Sequence, residues 1–121
     1  MKNSNIEYAG LHLIIELWNA VNLDSEEVIE NAFNEAIKAC DVKLLSMKFH
    51  KFSNYGGISG VAIIEESHIT IHTWPEYKYA AIDIFLCANK DPYRAIPVFK
   101  KAFKPENIQT IEMKRGILNE K

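Results

Sequence analysis

The sequence predicts an α+β fold, a two-layer sandwich in which an antiparallel β-sheet carries two helices on one face. Three observations lead there. Two segments, 24–40 and 91–104, repeat apolar residues at helical spacing. The other regular segments are short and rich in β-branched and aromatic residues, as strands are. The order is β-α-β-β-β-β-α-β with mostly hairpin-length connections, the signature of an antiparallel sheet backed by helices.

Residues 1–7 are polar and are read as a frayed end. Leu11–Trp18 (LHLIIELW) is read as the first strand, with a helix as the alternative because leucine and glutamate are mixed. Asp24 and Ser25 followed by Glu26 and Glu27 form a helix start: a capping side chain, then acids where the helix dipole favours them. Val28, Ile29, Ala32, Phe33, Ala36, Ile37 and Cys40 recur at helical spacing, so this helix runs for about 16 residues to Cys40. Its apolar stripe needs a surface to cover, and a sheet supplies one. Lys43–Phe52 (KLLSMKFHKF) is the second strand, and Asn54–Gly57 (NYGG) is a turn. Ile58–Ile64 and His68–Trp74 are strands with Glu65–Ser67 between them. After a turn at Pro75–Lys78 comes the strand Tyr79–Cys87. Asp91 caps a second helix with Pro92 at its first position; it carries Ile96, Phe99, Ala102 and Phe103 and ends before Pro105. Ile108–Met113 alternates as the last strand, and a charged tail starts at Lys114.

One domain is expected of 121 residues. At 48% hydrophobic the chain can bury a core, although one this short often gains from oligomerisation. With helices on one face only, the sheet's other face calls for a ligand site or a second subunit. A net charge of -2 leaves no basic excess for nucleic acid. No apolar stretch approaches the roughly 20 residues of a membrane span. The apolar run Leu11–Ile15 is short and interrupted by His12, unlike a secretory leader. Cys40 and Cys87 are therefore expected as free thiols in a reducing cytoplasm.

Side chains alternate along a strand. In the strand at 68–74, Ile69, Ile71 and Thr73 point one way, towards a core. His68, Thr70, His72, Trp74 and Glu76 point the other way, mixing polar and aromatic groups as a pure packing surface does not. An even loop at 75–78 adds Tyr79, Asp83, Phe85 and Cys87 to that face. His68 and His72 stand four apart, as zinc ligands do on a helix, but the residues between them favour a strand. Four strand steps cover about 13 Å at ~3.3 Å each, too far for two nitrogens that must each lie ~2 Å from one ion. No metal is expected. Taken singly, each residue has an ordinary role: His72 as hydrogen-bonded structure, Cys87 as a small buried hydrophobe, Trp74 as packing, Ser59 as a strand hydroxyl. The residues alone lead to a small α+β domain with one polar face.

The run GISGVAIIEESHITIHTWPEYKYAAIDIFLC, residues 57–87, resembles the core of the small prokaryotic S-adenosylmethionine decarboxylases, pyruvoyl enzymes made as self-cleaving proenzymes. FHKF (49–52), HLIIELW (12–18) and DPYRAI (91–96) extend the resemblance over most of the chain. In that family the bond before the serine breaks, which here is Glu66–Ser67, giving a β chain of residues 1–66 and an α chain of residues 67–121. The resemblance implies that Ser67 Oγ attacks the Glu66 carbonyl, and that elimination then leaves a pyruvoyl group on the α chain. A pyruvoyl ketone forms a Schiff base with the substrate amine and accepts the electrons left by decarboxylation, work that side chains cannot do and cofactors usually supply.

Carried over residue by residue, His72 is the proton acceptor in processing, Ser59 assists it, and Cys87 is the proton donor in catalysis. Phe52 and Trp74 match positions that hold the adenine, with the sulfonium near aromatic faces, and Glu76 matches a residue that binds the ribose hydroxyls. The implied substrate is S-adenosylmethionine, its product serves spermidine synthesis, and the implied assembly is a homodimer of cleaved αβ protomers with sites near the interface. Relatives in the family use arginine or ornithine instead; Trp74 and Glu76 favour the nucleoside. The chain departs from the family pattern in the loop SNYGGISG (53–60), which is one residue longer, and at Lys78, where glycine is common. Leu86, Ala88 and Asn19-Ala20 are further departures.

Overall fold

The order of elements in the computed structural model, which describes residues 7–118, is β1 (Tyr8–Trp18), α1 (Glu26–Cys40), β2 (Leu44–Lys51), β3 (Ile58–Ile64), β4 (Ser67–Trp74), β5 (Tyr79–Cys87), α2 (Ile96–Phe103) and β6 (Asn107–Ile117). The predicted order and the α+β class both hold. The sheet runs β2-β3-β4-β5-β1-β6, and every neighbouring pair is antiparallel. Most of the reading of residues 1–7 as a frayed end falls outside the described residues.

The core lies between one sheet face and the helices. Leu13, Ile15 and Leu17 of β1 and Ile69 and Ile71 of β4 are fully buried, together with Ile29, Phe33 and Ala36 of α1 and Phe99 and Phe103 of α2. Each large side chain contributes roughly 1.5–3 kcal/mol on burial. Gly60 makes room for one of them: a Cβ there would come within 2.3 Å of the Phe49 ring, which packs on Phe33 at 5.4 Å between centroids. The start of α1 is as predicted, with Ser25 accepting from the Val28 N–H at 3.2 Å and acids in the first turn.

The structure extends or divides three predicted elements. β1 begins at Tyr8, three residues earlier than expected, and β6 continues through Lys114 and Arg115 to Ile117. Pairing with β1 makes the charged segment a strand: Gly10 faces Arg115 and Tyr8 faces Ile117. Charge on such an outer strand also discourages edge-to-edge association. The second predicted helix is two pieces. Asp91 caps a 3-10 turn, Pro92–Ala95, accepting from the Tyr93 N–H at 3.0 Å, and α2 begins only at Ile96. Pro97 explains the break, because its ring would collide with the Tyr93 carbonyl of a continuous α-helix and it has no N–H to donate.

The connection between β4 and β5 sets the face that matters. Trp74 pairs with Tyr79, so the four intervening residues make the even loop. They form a 3-10 turn, Pro75–Tyr77, closed by Lys78 at φ 55, a left-handed conformation that glycine adopts more easily. Below it, buried Thr73 accepts from the Ile58 N–H at 2.9 Å and donates to the Leu23 carbonyl at 2.8 Å, tying β3, β4 and the β1–α1 loop together. No helix among the described residues is long and apolar enough to cross a membrane.

Candidate active site

Glu65 and Glu66 form a two-residue turn between β3 and β4, with Ile64 paired to Ser67 across it. Glu66 has φ 66, in the left-handed region. For a residue with a side chain this costs roughly 1 kcal/mol, so the peptide entering Ser67 is held in a disfavoured geometry. The register brings Cys87 to the same point: His68 faces Phe85, so Cys87 comes level with Glu66. The Cys87 thiol donates to Glu66 Oε1 at 3.2 Å, and Ser67 lines the same cleft. The Glu66 hydrogen bond and burial push the thiol pKa up, against a smaller opposing effect of Ser67. A cleft of about 320 Å³ opens here, with Val42, Lys43, Ser67 and Cys87 among its walls.

A second cluster occupies the other end of the hairpin. Ser59 and His72 are register partners, and Ser59 Oγ lies 2.9 Å from His72 Nδ1. Trp74 stacks on Tyr79 at 5.3 Å, and Tyr79 stacks in turn on Trp18 at 4.4 Å. The Tyr79 hydroxyl donates to the Glu16 carboxylate, and the Trp18 indole N–H donates to Gln109 Oε1 at 3.2 Å. Burial first, then Glu16, push the Tyr79 pKa up to about 12. Phe52, 49% exposed just past β2, meets the His50 ring edge-on at 4.5 Å. Strand alternation fails to place Glu76: β4 ends at Trp74, and Glu76 sits exposed in the 3-10 turn beyond it.

Between the clusters lies a third group on the same open face. Asp83 Oδ2 takes hydrogen bonds from His12 Nε2 at 2.6 Å and His68 Nε2 at 3.1 Å, and Thr70 donates to its other oxygen. Arg115 Nη1 lies 3.3 Å from His12 Nδ1. A guanidinium only donates, so Nδ1 accepts and the proton of His12 is on Nε2, aimed at Asp83. The two histidines and Asp83 are near enough to share an ion. As arranged, however, their facing nitrogens are donors satisfied by the carboxylate. Burial alone would raise the Asp83 pKa, but the hydrogen bonds from Thr70, His12 and His68 outweigh it and hold the carboxyl below its usual range. The Asp83→Asn chain is expected to lose about 1–3 kcal/mol of stability at pH 7. Because the folded pKa is depressed, that contribution is complete above the unfolded carboxylate value of about 4 and fades as pH falls through the folded one. Urea unfolding of both chains in steps from pH 7 to pH 3 checks that the gap narrows. Strand alternation placed His68, Thr70 and Asp83 on this face. It missed His12 and Arg115, which need the β5-β1-β6 order, although His12, Ile14, Glu16 and Trp18 already alternate in the sequence.

The structure therefore brings Glu66, Ser67 and Cys87 together, and Ser59 with His72, but does not bring the two sets together. Ser67 and His72 lie five residues apart on β4, about 16 Å at ~3.3 Å per residue, and alternation points them to opposite faces.

The family described as S-adenosylmethionine decarboxylase matches residues 11–116. A protein of Methanococcus maripaludis strain C5, named S-adenosylmethionine decarboxylase proenzyme, is 47% identical over 112 residues, covering 90% of this chain and 91% of its own. The like-named protein of Thermomicrobium roseum is 40% identical over 110 residues, covering 90% and 95%. The crystal structure of the adenosylmethionine decarboxylase from Aquifex aeolicus superposes with a TM-score of 0.84 at 29% identity, over 95% of this chain and 97% of that one.

Proposed function

The chain belongs to the S-adenosylmethionine decarboxylase family, and we propose that it decarboxylates S-adenosylmethionine with a ketone made from its own Ser67. The observation that supports this most directly is the meeting of Ser67, the strained Glu66 and the Cys87 thiol at one hairpin tip. Ser67 Oγ adds to the Glu66 carbonyl, and the acyl group moves from nitrogen to oxygen. Loss of the Ser67 α-proton then expels the Glu66 carboxylate, and hydrolysis of the resulting imine releases ammonia. A β chain 1–66 and an α chain 67–121 remain, the latter with a pyruvoyl end. That group supplies the electron sink for decarboxylation. Cys87, beside it and held protonated, is placed to return a proton to the substrate carbon. The product is the aminopropyl donor for spermidine synthesis.

His72 is too far from Ser67 to act on it within one chain, so a second copy is required. The open face exposes Ile14, Trp18, Ile63, Trp74, Ile111 and Met113, apolar side chains that a second copy would cover. In a two-fold pairing each chain lays the same patch on the other. Opposite ends of the hairpin then meet. The hairpin tip of one protomer, which carries Glu66 and Cys87 with Ser67 at the very start of β4, meets Ser59, His72, Phe52, Trp74 and Glu76 of its partner, so two protomers complete each site. The free thiols of Cys40 and Cys87 suit a reducing cytoplasm.

Carboxyl-labelled S-adenosylmethionine should release labelled carbon dioxide, whereas labelled arginine and ornithine should not; release from either amino acid instead would reassign the substrate. Cys87→Ala protein should still run as two fragments but turn over about 100-fold or more slowly, the usual effect of losing a general acid. An intact wild-type chain that releases no carbon dioxide sinks the proposal.

A further inference from the structure

Cys87 stands beside the bond that the chain is to break, which creates a hazard. A thiolate is a better nucleophile than a serine hydroxyl. If Cys87 Sγ added to the Glu66 carbonyl carbon, the bond to the Ser67 nitrogen would break and that nitrogen would take a proton from water. A thioester would then join Cys87 to Glu66. Water would hydrolyse it, returning the thiol and leaving a carboxylate on Glu66. The net change is hydrolysis of one peptide bond, and the α chain would begin with an intact serine amine and no ketone.

We propose that the Glu66 side chain prevents this: by accepting the Cys87 S–H hydrogen bond at 3.2 Å it keeps the sulfur a neutral donor, so Ser67 Oγ is the nucleophile at the Glu66 carbonyl. Glu66 thereby positions the Cys87 proton, a role distinct from that of its backbone in the cleaved bond. The geometry supports the assignment because the carboxylate and the threatened carbonyl belong to one residue. A turn that delivers the strained peptide also delivers its guard. The raised thiol pKa has this hydrogen bond as its largest cause. The proposal rests on the reading of Ser67 as the ketone precursor.

The test uses the uncut Ser67→Ala chain, with and without Glu66→Gln or Glu66→Ala. Iodoacetamide labelling of Cys87 is followed by peptide mass spectrometry near neutral pH. Cys40 gives an inert reference, being buried with its pKa pushed up to about 11 by burial and then Asp91. Removing the carboxylate should speed Cys87 labelling on the order of tenfold, because more of the sulfur is then thiolate. In chains that keep Ser67, Glu66→Gln should yield an α fragment heavier by one ammonia than the carbonyl-ended form (an intact serine end in place of a pyruvoyl end), and Cys87→Ala should abolish it. Equal labelling rates overturn the proposal, as does a Glu66→Gln chain that cleaves to the ketone end alone. Because labelling is measured on uncut protein, it decides the question even if Ser67 proves not to become a ketone.

Discussion

The Ser67→Ala chain should run as one uncut polypeptide and release no carbon dioxide from S-adenosylmethionine. Serine is needed twice, because its β-oxygen is the nucleophile in the acyl shift and the leaving atom in the elimination. Alanine has neither, and nothing else at the turn supplies a β-carbon bearing such an oxygen. The fold should not suffer: Ser67 pairs with Ile64 through its backbone, and truncating its hydroxyl falls among surface changes worth within about 0.5 kcal/mol. A thermal melt close to that of the wild type, one band on a denaturing gel and no adduct after borohydride with substrate are the expected results. Decarboxylation by the uncut variant would remove Ser67 from the chemistry altogether.

Much of this structure was legible because alternation and helical spacing report burial directly. Ile69 and Ile71 read as core, and they are fully buried. Elements that depend on a partner were not legible. Lys114 and Arg115 look like a solvated tail until β1 is seen to supply their backbone hydrogen bonds. The 3-10 turn before α2 follows from Pro97, a residue that the sequence displayed but that helical periodicity overrides. The open-face cluster shows the same limit: His12 and Asp83 are 71 positions apart and meet only because β1 returns beside β5. For the site, residue types could be carried over from the resemblance, but their division into two ends of one hairpin came from register and strand rise. The hydrogen bond between Cys87 and Glu66 likewise needed the register of β4 against β5.

Co-expressing a Ser67→Ala chain with a His72→Ala chain should restore activity that neither has alone. Each homodimer lacks a residue in both of its sites. In the mixed dimer, one site receives both substitutions and is dead, whereas the other joins an intact Ser67 to an intact His72. Random pairing makes about half of the dimers mixed, each with one working site, so activity should return to roughly a quarter of the wild-type value. Cleavage gives a second readout that does not depend on turnover: with different tags on the two chains, roughly half of the His72→Ala chains should be cut and none of the Ser67→Ala chains. The result discriminates sharply because a site built within one chain predicts zero on both measures. Each chain would then carry a defect that no partner could repair. Failure of both measures would overturn the shared site and leave His72 with no route to Ser67, since the two lie about 16 Å apart along β4.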